Sequence, residues 1–165
     1  LKLLKLIKKI LMIRVNVVIQ NKISLRNIKN PQKYLSKRIK ILGNKISFLK
    51  KGKFDFTLLL SGNKRIKDLN KKYRKKNKIT DILSFPFYEQ KVLKNLMKKK
   101  DHIYLGDIII NVDKIKDNSN KNFFKLSFDK LWVHGLIHLF GYRHKMNKDF
   151  YKMKNLEDKF LNLIQ

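Results

Sequence analysis

Cysteine is absent from this 165-residue chain. Its absence excludes a disulfide framework, a thiolate nucleophile, a cysteine-type zinc finger and an iron–sulfur site. It also removes any positive sign of secretion. Acidic residues are scarce: twelve Asp and Glu face 41 Lys and Arg, and the only glutamates are Glu89 and Glu157. Chemistry that needs a glutamate base therefore has few candidates. Long hydrophobic runs are missing too. The apolar stretches are short and broken by lysine, well under the ~20 residues that a membrane-spanning helix needs. The opening LKLLKLIKKILMIRV is a poor signal peptide, because lysines interrupt its apolar part and no Ala-x-Ala-like site follows. Residues 1–11 read as an N-terminal extension upstream of a true start at Met12. A Leu/Lys helix lying on a membrane is the less favoured alternative.

What is present is a chain with enough apolar material to fold. Hydrophobic residues make up 43% of it, which argues against wholesale disorder. A single domain of this length buries roughly 70% of its unfolded surface without needing a disulfide or an oligomer. The net charge is +29, and 35 of the 41 basic residues are lysine. Part of that excess has a genomic reading, since Lys, Asn, Ile and Phe share codons rich in A and T. The functional reading is a polyanionic partner, RNA or DNA, and the two readings are compatible.

Hydrophobic periodicity organises the chain. Residues 12–20 alternate and are β-branched, hence a strand. Asn30-Pro31 opens a helix expected to run to about Leu42 and to stop at Gly43-Asn44. Residues 54–61 form a second strand. A helix follows, with Ile66, Leu69 and Tyr73 on one side. Residues 80–87 make a short extended segment that Pro86 confines to an edge or a strand end. Residues 88–103 read as a lysine-rich mobile loop and 103–111 as a buried strand. Further helices are expected at about 112–121, from Ser127 to Phe140, and at about 148–163. Gly141 is expected to stop the Ser127–Phe140 helix. This order gives a single compact α+β domain with about four strands packed against helices, the histidine-bearing helix being central.

Three of the four histidines lie within HGLIHLFGYRH, residues 134–144. His134 and His138 stand four apart, so a helix puts them on one face. Gly141 lets the chain reverse, and His144 can then fold back as a third ligand. Three imidazoles suit one tetrahedral Zn2+ per chain with an open position, where zinc lowers the pKa of water to about 7. Three structural histidines are the competing reading. The spacing matches that of metzincin proteases, but their catalytic Glu is replaced by Gly135. The sequence thus keeps a metal cage without a proteolytic base. Gly135 costs ~1 kcal/mol relative to Ala inside a helix, and a close approach of backbone or substrate would explain it. His102 reads as a solvated loop residue.

Four stretches, LNKKYRKKNKITDILSFPF (69–87), LGDIIIN (105–111), LWVHGLIHLFGYRH (131–144) and FYKMKNLEDKFL (150–161), together resemble the YbeY family of bacterial endoribonucleases, the rRNA maturation factors. The resemblance covers residues 12–165. It implies a zinc-dependent, single-strand-specific endoribonuclease acting in 16S rRNA 3′-end processing and ribosome quality control. The implied partners are single-stranded RNA, rRNA and the ribosomal small subunit. No DNA specificity, no stable membrane association and a cytoplasmic location are expected. His134, His138 and His144 match the family's metal ligands, and Arg74 matches its active-site arginine. One position departs: Arg143 stands where the family usually has Asp. Losing a residue that orients a ligand would weaken metal binding or rate. Losing a surface turn residue would only add positive charge near RNA.

Chemistry supports Arg74 independently. A guanidinium forks onto two phosphate oxygens, which lysine cannot do. Thr80, Asp81 and Ser84 are candidates for the cleft wall, or for simple turn hydrogen bonds. Asp107 is the acidic residue most expected to matter, as a buried hydrogen-bond partner, with a purely structural role as the alternative. Phe85, Phe87 and Tyr142 are candidates for base stacking. Two rival functions stand beside the nuclease: an RNA- or ribosome-binding assembly factor with weak hydrolase activity, and a metal-dependent hydrolase of another substrate.

Overall fold

The computed structural model describes residues 13–99, 102–115, 120–143 and 146–165. Four strands form one mixed sheet: β1 (Ile13–Ile19), β2 (Lys53–Ser61), β3 (Ile82–Pro86) and β4 (His102–Asn111). Their spatial order is β1-β2-β4-β3. β1, β2 and β4 run parallel, and β3 is antiparallel to β4. Pro86 closes the edge strand β3, where its missing N–H costs no ladder bond. Five α-helices occur among the described residues: α1 (Pro31–Lys45), α2 (Asn63–Arg74), α3 (Gln90–Lys99), α4 (Lys121–Leu139) and α5 (Asn147–Ile164). The expected N-terminal extension, residues 1–11, lies outside the described residues.

One face of the sheet carries most of the core. Phe54, Phe56, Leu58 and Leu60 alternate along β2 and are buried with Ile103, Leu105, Ile108 and Ile110 of β4. α1 packs on β1, α4 on β3 and β4, and α5 on α4 and α1. α2 covers part of the opposite face, where Ile66 meets Leu83 and Ile109. Each large apolar side chain so buried contributes roughly 1.5–3 kcal/mol.

Several expectations are corrected. α1 runs through Gly43-Asn44 to Lys45, because Leu35, Ile39, Leu42 and Ile46 continue one buried stripe. Tertiary packing overrides the local stop signal there. The lysine-rich stretch expected to be a loop contains α3. Leu93 is buried, and Leu96 and Met97 pack on the core three and four residues later. At 112–114 the chain makes only a 3₁₀ turn, while 116–119 lie outside the described residues. α4 begins at Lys121, six residues before Ser127. Asn120 caps it by accepting from the N–H groups of Asn122 and Phe123 at 2.9 and 3.2 Å. Phe124, Phe128 and Trp132 extend its buried face.

A buried polar knot ties α1 to α4. Asp129, 2% exposed, accepts from Trp132 Nε1 at 2.8 Å and from Tyr34 Oη and Arg38 Nε, each at 3.0 Å. Burial raises the Asp129 carboxyl pKa, and its three donors counter that shift. Burial and the neighbouring carboxylate also push the Tyr34 phenol well up. Asp129→Ala strands these donors and should cost ~3–5 kcal/mol in urea unfolding. Asp129→Asn keeps an acceptor and should cost less. A loss under ~1 kcal/mol for Asp129→Ala would show that this knot does not hold the helices together.

Candidate active site

From Leu131 to Leu139 α4 is apolar apart from its two histidines, because this half lies between the sheet and α5. His134 and His138 occupy its one half-buried polar stripe, toward the edge strand β3. Gly135 sets how close the helix comes. A Cβ there would meet Ile108 Cγ2 at 2.9 Å and Ile82 Cδ1 at 3.0 Å. The glycine therefore serves helix-to-sheet contact. The same geometry points any side chain at 135 into the sheet, so this helix has no place for a protease-type Glu.

The helix ends as its sequence predicts. Gly141, at φ +87°, reverses the chain, with its N–H on His138 O at 2.9 Å and Tyr142 N–H on Ile137 O at 3.3 Å. The reversal brings the Tyr142 carbonyl to His138, whose Nδ1 donates to it at 2.8 Å. His134 Nδ1 meets Glu157 Oε1 of α5 at 2.6 Å. A carbonyl and a carboxylate both accept, so in each neutral ring the proton sits on Nδ1 and the Nε2 lone pair faces away from these partners. The two Nε2 atoms stand 3.0 Å apart, with the rings nearly perpendicular at 82°. Two ring nitrogens so placed can share one cation.

That donor pair fits a metal. Two imidazole nitrogens bound to one tetrahedral zinc at ~2.0–2.1 Å stand roughly 3.3 Å apart. Glu157 and the Tyr142 carbonyl are the kind of outer partners that fix ligating histidines. Among the described residues no third His, Asp or Glu completes a cluster. His144, the expected third ligand, lies outside the described residues.

Arg74 is the last residue of α2 and faces the same cleft. The turn behind it is pinned by Asn70, 2% exposed. Its Nδ2 donates to Lys78 O at 2.8 Å, and its carbonyl accepts from Lys76 N–H at 3.2 Å. Lys75 takes the left-handed conformation, φ +58°, that ends the helix. A long contact of 3.4 Å runs from Arg74 Nη2 to Ser84 O on β3. The cleft has a volume of about 460 Å³, and Thr80, Ser84, Tyr142 and Arg143 line it together with Arg74 and the two imidazoles. Two guanidiniums thus face the cleft, and among the described residues no carboxylate lines it. Arg143 is exposed there and adds positive charge.

Other candidates fall elsewhere. Asp81 lies beside the cleft, and its carbonyl accepts from Asn111 N–H at 2.8 Å. Asp107 is exposed on the sheet's outer face and accepts from Tyr104 Oη at 2.6 Å, so it is not the buried partner expected. Phe85 packs against Tyr73 at 5.3 Å, while Phe87 is 64% exposed beside Tyr88 and Tyr104. Only Tyr142 of the three aromatics lines the cleft. His102 is not a loop residue. It opens β4 and pairs with Asp55, beside Arg14 Nη2 at 2.9 Å. The sequence offers Glu157 only as one of two glutamates and does not assign it to the histidine site. Its only signals are the rarity of glutamate and its place in a family-like stretch.

The family profile described as endoribonuclease YbeY matches residues 17–165. The chain is 38% identical over 156 residues to the endoribonuclease YbeY of Pelagibacter ubique, covering 93% of this chain and 97% of that one. It is 36% identical over 152 residues to the endoribonuclease YbeY of Buchnera aphidicola, covering 88% and 90%. The solution structure of TM1509 from Thermotoga maritima aligns with a TM-score of 0.56 at 22% identity, over 92% of this chain and 88% of that one, a likeness of fold. Since the profile match reaches from the first strand to the last residue and the relatives align over almost their full lengths, the chain belongs to the endoribonuclease YbeY family, hydrolases that act on RNA.

Proposed function

We propose that this protein is a zinc-dependent, single-strand-specific endoribonuclease that acts in the cytoplasm on rRNA of the small ribosomal subunit. Its proposed roles are 16S rRNA 3′-end maturation and ribosome quality control, carried by a domain spanning 12–165. The RNA substrate follows from family membership. The ribosomal roles rest on the family resemblance. The observation that carries the metal reading is the pair of Nε2 atoms 3.0 Å apart, with both Nδ1 positions already committed to acceptors.

His134, His138 and His144 would hold one zinc per chain. Bound there, the ion supplies Lewis-acid charge and activation of the nucleophile at neutral pH. The remaining work falls to side chains. Glu157 holds His134 in the Nδ1–H tautomer, and the Tyr142 carbonyl does the same for His138. Arg74 lies across the cleft, where its fork can take two oxygens of the scissile phosphate. Charge that builds on those oxygens in the transition state is offset by the guanidinium. The apolar contact of Gly135 with Ile82 and Ile108 keeps the imidazole face of α4 at a fixed height above β3.

Single-stranded RNA, incubated with and without chelator, tests the activity directly. Cleavage that chelator stops and zinc restores is expected; no cleavage under either condition leaves an RNA-binding assembly factor. A peptide substrate should remain intact.

The cage is tested by elemental analysis. His138→Ala should lose stoichiometric zinc, and full zinc content in that variant would overturn the ligand assignment. Glu157→Gln should weaken zinc affinity ~10–100-fold in chelator competition while leaving the fold intact. Unchanged affinity would make Glu157 a mere surface ion-pair partner.

Arg74 is tested by separating rate from binding. Arg74→Ala should lower the single-turnover rate at saturating protein ~10²–10³-fold, with little change in RNA affinity. Arg74→Lys keeps the charge but loses the fork, and should behave almost like alanine. Weak binding with a normal rate on bound RNA would make Arg74 one phosphate contact among many.

A further inference from the structure

Beside the cleft lies a larger groove of about 1020 Å³. Its walls come from α3, the first turns of α5 and the turn that ends α4. Tyr142 and Arg143 line both the groove and the cleft, so the two adjoin at these side chains. A third hollow, about 760 Å³, flanks the cleft on the other side and shares Ile82 and His134 with it.

The two flanks differ in charge. In the larger groove Lys91, Lys94, Arg143 and Lys152 stand against Glu89 and Asp149. In the other hollow two lysines face three carboxylates, Asp81, Glu157 and Asp158. One of those lysines, Lys154, is already paired with Asp158 at 2.7 Å. On a chain of net charge +29 a hollow richer in acids than in bases runs against the overall field. The flanks differ in this way whatever the origin of the lysine excess.

The floor of the larger groove is apolar and aromatic. Phe48 meets Phe140 edge-on at 5.2 Å, with Leu93 and Met97 of α3 beside them. A basic rim over an aromatic floor suits a single nucleic-acid strand, whose phosphates seek cations and whose bases seek flat apolar surface. Such a floor holds bases only when they are unpaired.

We propose that this groove takes the RNA strand as it leaves the catalytic cleft, so that substrate extends to one side only. Arg143 and Tyr142 stand at the junction, the first forking onto a phosphate and the second offering its ring to a base. Lys91, Lys94 and Lys152 hold the phosphates beyond it. The opposite hollow, where Glu157 is paired with His134 and Asp158 with Lys154, offers the strand fewer cations. The inference deepens the nuclease reading and rests on it.

The test compares two triple variants of equal charge loss. K91Q/K94Q/K152Q removes the groove lysines, and K33Q/K37Q/K40Q removes three exposed lysines of α1. All six side chains are exposed, and thermal melting checks that both variants stay folded. Fluorescein-labelled single-stranded RNAs of about four and about twelve nucleotides are bound at several salt concentrations. The short RNA should bind both variants alike. The long RNA should bind the groove variant about tenfold more weakly than the α1 variant, and its salt slope should fall by about 2, since each lost contact removes about 0.7. Equal weakening of the two variants would mean that only overall charge matters and would overturn the groove. No weakening of long-RNA binding by the groove variant would overturn it as well. Failure of the parent reading looks different: wild-type protein would show the groove-dependent gain in affinity yet cut no RNA, with zinc or without.

Discussion

The close approach of α4 to the sheet is the contact on which the site depends. Gly135 lets the helix backbone rest against Ile108 and Ile82. Everything one helical turn away is set by that distance. His134 and His138 project from the same helix past the edge strand β3, so their height above the cleft follows from the packing beneath them. The missing side chain also removes the position from which a zinc protease draws its base. One residue therefore shapes both the packing and the chemistry.

Around that contact the protein commits the outer nitrogens of both rings. Glu157 comes from α5 and the Tyr142 carbonyl from the turn after α4. Neither partner belongs to the sheet, so the C-terminal helix and the turn take part in building the site. The result is a pair of Nε2 atoms 3.0 Å apart at the cleft. Away from the site, the buried core under α1, α4 and α5 supplies stability. The described residues contain no helix long and apolar enough to cross a membrane.

Charge works at two ranges in this molecule. The net +29 acts at long range and draws in any polyanion. Positioning is a short-range matter, decided by which cations line which hollow. Arg74 and Arg143 face the cleft with no carboxylate among its described lining residues, while acids gather around Glu157 on the far side of His134. A uniformly basic surface would bind RNA in any orientation. An asymmetric one selects a direction.

The sequence by itself determined the elements with strong periodicity and the residues with unusual spacing. β1, β2 and β4 follow from alternation and β-branching, and the edge position of β3 from Pro86. The pair His134 and His138 follows from helical spacing, and the reversal at Gly141 from the glycine. These are local properties, set by sterics and by the 3.6-residue turn. α3 was hidden because seven exposed positions in ten conceal the apolar three, Leu93, Leu96 and Met97, that anchor it. The continuation of α1 past Gly43 and the early start of α4 depend on buried stripes whose partners lie far away in the chain. The pairing of Glu157 with His134, the solvent exposure of Asp107 and the ion pair of His102 with Asp55 could not be read locally at all. Each depends on two segments meeting, and only the packed tertiary structure decides which side chains meet and at what distance.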